Sequence, residues 1–208
     1  MLLLPALPNP RLILASSSIY RHELLSRLCL PFEMVAPGID EQPWSGELPQ
    51  QTALRLAREK AAAVARGHPD TLIIGSDQVA TLDEEQIGKP GSHACALAQL
   101  QKMQGRTVLF HTALCLWDAR SAAPEAVQIG SVPTAVTFRN LPKSALDAYL
   151  RIEQPYDCAG SAKNEGLGIT LIARIESSDP TALTGLPLIT LCNMLTKAGV
   201  AFFSSDSA

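Results

Sequence analysis

Aromatic residues are scarce in this chain, at 5% of 208 residues, so each one near a motif carries weight. Charge is sparse too: Asp, Glu, Lys and Arg make up 18%, with a formal net charge of −3. That balance excludes broad duplex binding, which needs a basic face to displace counterions. It leaves room for a small phosphorylated ligand, which needs only local cations. Cysteine is limited to Cys29, Cys95, Cys115, Cys158 and Cys192. The number is odd and no two form a CxxC pair, so no disulfide framework is expected and a reducing cytoplasm fits. His22, His68, His93 and His111 lack zinc-site spacing. Long apolar runs are missing as well. The N-terminal run is cut by Pro5 and Pro8, has no basic residue before Arg11, and is too short to span a bilayer. The expectation is therefore no membrane partner, no nucleic-acid partner, and a loose tail over residues 1–10.

What is present suits a globular α/β chain. Hydrophobic residues reach 47%, enough to bury a sizeable core. Arg11 to Ala15 reads as a short buried strand, Ser16 to Ser18 as a polar turn, and Leu24, Leu25 and Leu28 mark a helix. Strand, polar loop and helix in that order point backbone N–H groups at an anion. Phe32 to Val35 reads as a second strand. A helix rich in Ala, Leu, Arg and Glu runs from Pro49 to Arg66. Leu72 to Ile74 reads as a buried strand with Gly75-Ser76-Asp77-Gln78 at its carboxyl end, where ligands bind in many α/β sheets. Asp83 to Gln86 reads as a turn, and Ser92 as the cap of a helix ending at Gly105. Val108 to Trp117, Ile129 to Phe138 and Ile169 to Ile175 read as strands. Pro142 to Arg151 and Leu188 to Ala198 read as helices. The expected fold is one α/β domain over 1–208, a mixed twisted sheet flanked by helices. A cleft between two lobes and a C-terminal tail at 200–208 complete the expectation.

Singly, the polar motifs are ordinary. Lys60 alone is a solvated helix lysine, Lys89 a loop charge, and Ser16 and Ser18 turn residues or caps. Their order gives them meaning. The segments are Ala15-Ser16-Ser17-Ser18-Ile19-Tyr20-Arg21, Ile39-Asp40-Glu41, Glu59-Lys60-Ala61, Gly75-Ser76-Asp77-Gln78-Val79 and Gly88-Lys89-Pro90. Ala159-Gly160-Ser161, Asn164-Glu165-Gly166 and Gly185-Leu186-Pro187-Leu188 follow. Together, from about Leu12 to Gly199, this series resembles the Maf family of nucleotide pyrophosphatases. Gly75-Ser76-Asp77-Gln78 with Lys163-Asn164-Glu165-Gly166 resembles the branch acting on 7-methyl-GTP. The branch acting on dTTP and UTP typically has Thr in place of Gln78 and Gln in place of Glu165. Two departures stand out: Ile19 where the family often has Pro, and His22 where it often has a second Arg. The latter leaves one phosphate contact open.

The resemblance implies a Maf/ITPase-like fold and hydrolysis of 7-methyl-GTP to 7-methyl-GMP and diphosphate. Cleaving a phosphoanhydride needs cations against the triphosphate and an activated water. Ser16, Ser18 and Arg21 are placed to bond phosphate oxygens, Arg with a forked contact. Lys60 and Lys89 add point charges. Glu41 and Asp77 supply hard oxygens suited to Mg2+ or Mn2+. The residues leave open which carboxylate holds the metal; the family resemblance assigns the proton acceptor to Asp77. Tyr20, Gln78 and Glu165 are the candidates for base selectivity. Methylation at N7 makes guanine a flat cation, which favours an aromatic face and a nearby negative charge. Two alternatives remain: a dTTP/UTP pyrophosphatase of the same family, or a non-catalytic nucleotide-binding regulator of septum formation. A homodimer is also left open.

Overall fold

The computed structural model of the protein describes residues 9–83, 85–123 and 126–203. Seven strands form one mixed sheet. β1 (Arg11–Leu14), β2 (Glu33–Met34) and β3 (Thr71–Leu82) run parallel in the order β2-β1-β3. β5 (Thr107–Asp118), β6 (Val127–Phe138) and β7 (Ile172–Ser177) continue from β3 in antiparallel fashion, and the short β4 (Glu85–Ile87) pairs with the far end of β3.

Alternation along the strands builds the two faces. Ile13, Ile73, Ala113 and Cys115 point one way, onto α2 (Pro49–Ala65) through Ala53, Ala57, Ala61 and Val64. Leu12, Leu14, Leu72, Ile74, Leu114 and Leu116 point the other way. They pack on Leu24 and Leu25 of α1 (Ile19–Ser26) and on Leu191 and Leu195 of α5 (Leu188–Lys197). A third cluster gathers at the other end of the long strands. There Ala80, Leu82, Phe110 and Phe138 meet α3 (His93–Met103) and α4 (Lys143–Glu153). β3 thus runs through both halves of the molecule. Among the described residues, no helix is long and apolar enough to cross a membrane.

Several sequence expectations change. β3 does not stop at Ile74. Its pairing with β1 ends there, but its ladder with β5 continues from Leu72 to Thr81, so Gly75 to Gln78 lie inside a strand. Gly75 is required by close approach rather than by a turn. A Cβ on it would stand 2.1 Å from the Ala57 carbonyl oxygen and 2.9 Å from the Ala61 nitrogen on α2. The stretch read as a turn before Ile87 contains β4. The strand expected from Ile169 begins at Ile172, after a 3-10 stretch over Leu167–Leu171. Of the expected N-terminal tail, residues 1–8 lie outside the described residues, and Asn9 exchanges two hydrogen bonds with the backbone of Ala201 at 2.9 and 3.0 Å. Val200 is buried, and residues 204–208 of the expected C-terminal tail lie outside the described residues.

Candidate active site

A cleft of about 580 Å³ opens where β3 runs on past the end of β1, and all ten residues singled out from the sequence line it. Its floor is a buried charge cluster. Lys60 Nζ, from α2, lies 2.6 Å from Asp77 Oδ1 and 2.8 Å from Glu41 Oε1. Lys60 and Asp77 are 4% and 7% exposed, while the Glu41 side chain is 54% exposed. The glycine at position 75 is what lets α2 come close enough for this pairing. Burial raises the Asp77 carboxyl above its ordinary range; Lys60 and then Arg21 oppose that shift, and Glu41 adds to it. Burial also raises the Glu41 carboxyl, but Lys60, with help from Lys89 and Arg21, outweighs this and leaves it below the usual range.

The polar loop before α1 carries the serines expected to meet phosphate. Ser18 is the N-cap, its hydroxyl accepting from the backbone N–H of Arg21 at 3.4 Å, and Ser16 Oγ accepts from the Ser18 N–H at 3.0 Å. Both hydroxyls are used as acceptors and keep their own protons for an outside oxygen. Arg21 donates from Nε to the Gly185 carbonyl at 2.9 Å. Among the described residues, its terminal nitrogens make no protein hydrogen bond, which leaves the fork for an anion. Burial pulls its guanidinium below the ordinary arginine range, countered by Asp77 and Glu41. Lys89 reaches the cleft from the Gly88–Pro90 loop. His22 does not line it; its ring packs on Phe32, with centroids 5.2 Å apart.

Neighbouring residues of β3 face opposite sides. Asp77 turns to α2, whereas Ser76 Oγ donates to the carbonyls of Ala113 and Gly185 at 2.8 and 2.9 Å. Gln78 Nε2 donates to Thr112 Oγ1 and to the carbonyls of Ala182 and Leu183, at 2.8, 3.1 and 3.0 Å. Three acceptors consume its amide nitrogen, so only its carbonyl oxygen remains for a base. Tyr20 and Glu165 also line the cleft. Tyr20 lies under Lys163, whose Nζ is 5.6 Å from the ring centroid. Burial raises the Glu165 carboxyl, with Lys163 partly opposing. Residues the sequence reading had not singled out line it as well, among them Asp157, Cys158 and Thr184. Of the quoted motifs, Ala159, Asn164, Glu165 and Gly185 bring these segments to the cleft.

Glu41 and Asp77 offer hard carboxylate oxygens of the kind a divalent cation takes, and each is paired with Lys60 Nζ, at 2.8 and 2.6 Å. Among the described residues no group of three or more His, Cys, Asp or Glu could cage an ion. Mg2+ commonly takes one or two carboxylates and completes its shell with water and substrate phosphates.

The chain belongs to the Maf family: residues 11–198 match the family described as Maf-like protein. It is similar over nearly its whole length to proteins named 7-methyl-GTP pyrophosphatase. One, from Cupriavidus metallidurans, is 63% identical over 197 residues, covering 95% of this chain and 98% of the relative. Another, from Ralstonia nicotianae, is 62% identical over 196 residues, covering 94% and 100%. A solved nucleoside-triphosphatase / dITP/XTP pyrophosphatase from Mycobacterium abscessus aligns loosely with 91% of this chain and 97% of its own, at 15% identity and a TM-score of 0.41.

Proposed function

We propose that this protein hydrolyses the anhydride between the α and β phosphates of a nucleoside triphosphate, with 7-methyl-GTP as preferred substrate. The observation that carries the reading is the buried Asp77 carboxylate, paired with Lys60 and flanked by Arg21 at the floor of a cleft rimmed by Tyr20 and Glu165. The near full-length relatives named for that activity support the substrate.

In this reading, Ser16, Ser18 and the Arg21 fork receive the phosphate oxygens, and Lys89 adds charge from the facing loop. Asp77 takes a proton from the attacking water, the water oxygen bonds to phosphorus, and the bridging bond breaks to release diphosphate. A carboxyl raised by burial is better matched to that work at neutral pH than an exposed one. Lys60 fixes the direction of the Asp77 carboxylate. Glu41 and Asp77 would hold a divalent cation, which when bound supplies charge neutralisation to the triphosphate. Tyr20 offers an aromatic face to the methylated base. Glu165 accepts from the donors on its Watson–Crick edge. A pyrimidine would leave that carboxylate desolvated without paired donors. Five free thiols fit a reducing cytoplasm as the place of work.

The test is a panel of 7-methyl-GTP, GTP, UTP and dTTP, with and without chelator, scored for diphosphate. The expected result is diphosphate as the inorganic product, the highest kcat/KM on 7-methyl-GTP, and loss of turnover in chelator restored by Mg2+ or Mn2+. Orthophosphate with a nucleoside diphosphate would exclude the reaction. Equal rates on UTP and dTTP would exclude the substrate. Binding without any turnover would favour the regulator.

A further inference from the structure

Glu41 is the less supported of the two carboxylates. Asp77 sits in a strand and is nearly buried. Glu41 lies on the connection between β2 and α2, where residues 35–48 contain neither helix nor strand. Its side chain is 54% exposed, yet Oε1 meets Lys60 Nζ at 2.8 Å. A side chain so open to solvent is not fixed by packing, so its backbone must be held.

That backbone is gripped by Arg55 of α2. Its Nη2 donates to the carbonyl of Gln42, the residue after Glu41, at 3.1 Å. Nε and Nη2 also donate to the two oxygens of Glu47 at 2.7 and 2.8 Å, and Nη1 to Glu59 Oε2 at 3.0 Å. The guanidinium covers the ring of Trp44 at 4.3 Å from the centroid. Glu47 tightens the same loop, accepting from the Trp44 N–H at 3.1 Å and from the Thr52 hydroxyl at 2.9 Å. The pairing holds Glu47 at a pKa of about 2. The Arg55 and Glu47 side chains are only 11% and 9% exposed, unlike the open surface pair Arg174–Glu176 at 68% and 56%. A planar fork makes all these contacts at once; an ammonium cannot.

Arg55 and Lys60 ride on one helix, five residues apart. The helix that presents the lysine therefore also carries the clamp that brings Glu41 to it. We infer that Arg55, backed by Glu47 and Trp44, is a positioning residue: it sets Glu41 against Lys60 and Asp77 without touching substrate. Arg55 lies outside the cleft lining. The inference rests on the reading of the cleft as the hydrolytic site.

The test uses the full chain with Arg55→Met, Arg55→Lys and Glu47→Gln, each alone and combined with Glu41→Gln. The readouts are kcat/KM and hydrogen exchange. Arg55→Met is expected to lower kcat/KM by about 10- to 100-fold, as loss of a group orienting a functional ligand does. Arg55→Lys should recover little of it. In the Glu41→Gln background the same change should cost less than about twofold more, because the group it positions is already gone. Amides of residues 42–47 should lose protection while those of β3 keep theirs. If Arg55→Met does not fold, Glu47→Gln carries the same expectation with the packing preserved. Equal losses in both backgrounds, or unchanged kcat/KM with a loosened loop, would overturn the inference. Asp77→Asn, assayed alongside, separates the two claims. Full turnover in that variant removes the cleft reading itself. An inactive Asp77→Asn beside an unimpaired Arg55→Met removes only the clamp.

Discussion

Asp77 and its partner Lys60 come from long regular elements; the residues proposed to meet the base come largely from loops. Asp77 stands in a strand of twelve residues and Lys60 in a helix of seventeen, and both are nearly buried. By contrast, Cys158, Lys163 and Glu165 lie around a single 3-10 turn, Ala159–Ser161, with Gly160 and Ser161 at φ of +73° and +55°. Tyr20, on the first turn of α1, is the base-end residue with a regular support. The contrast separates two tasks. A proton acceptor faces the same chemistry whatever the base, so in the proposed reading Asp77 can be locked into the sheet. Groups meeting the base can change without disturbing the core, because loops tolerate substitution better than packed strands.

The comparison can be broken most sharply at Asp77. Asp77→Asn keeps the shape, and Lys60 retains Glu41 at 2.8 Å, so its charge stays partnered and the fold should survive. Turnover should fall by about 100- to 10,000-fold. The fall should be similar for every nucleotide, with binding retained, as steady-state kinetics and calorimetry would show. A loss confined to one nucleotide would mean that the two ends are not separable.

Next in size is Gly75→Ala. The new methyl meets backbone on α2, which cannot rotate aside. The expected destabilisation lies at the upper end of the roughly 1–3 kcal/mol typical of overpacking, read as a lowered denaturation midpoint. Activity should drop with it, since α2 carries Lys60. A variant of native stability would show that the helix moves more freely than this contact implies.

The smallest effects belong to the base end. Glu165→Gln and Tyr20→Ala should leave the melting temperature nearly unchanged. Each should narrow the ratio of kcat/KM for 7-methyl-GTP over UTP, by about tenfold for Glu165 and a few-fold for Tyr20. Stable proteins with unaltered ratios would place base recognition elsewhere.

The sequence was easiest to read where periodicity and composition act together. α2 follows from its Ala-rich face between Pro49 and Gly67, and the two long strands after Arg106 follow from their apolar residues. The sequence alone marks β3 only to Ile74, where the apolar run gives way to Gly75, Ser76, Asp77 and Gln78. Each is placed by a tertiary contact that local pattern does not carry: Gly75 by α2, Ser76 and Gln78 by the loop at 182–185, and Asp77 by Lys60. The residues of the family motifs share one cleft, but the motifs do not show their partners. The amide donors of Gln78 are spent on the protein. Arg55 was passed over as one charge in a charged helix. Its signal was Trp44, a scarce aromatic three residues beyond Glu41.

The alternation along β3 ties catalysis to strand pairing. Asp77 faces Lys60 only because the ladder with β5 sets Asp77 opposite Ala113 and not one position away. A slip of a single residue would send the acid beneath the loop at 182–185 and present Ser76 or Gln78 to the lysine, since every side chain changes face together. Ten paired positions, Leu72 to Thr81, stand against that slip. The sheet therefore acts as an alignment gauge. Its reading is binary, and a chain folded one notch out would retain its apolar composition but lose the Asp77–Lys60 pair.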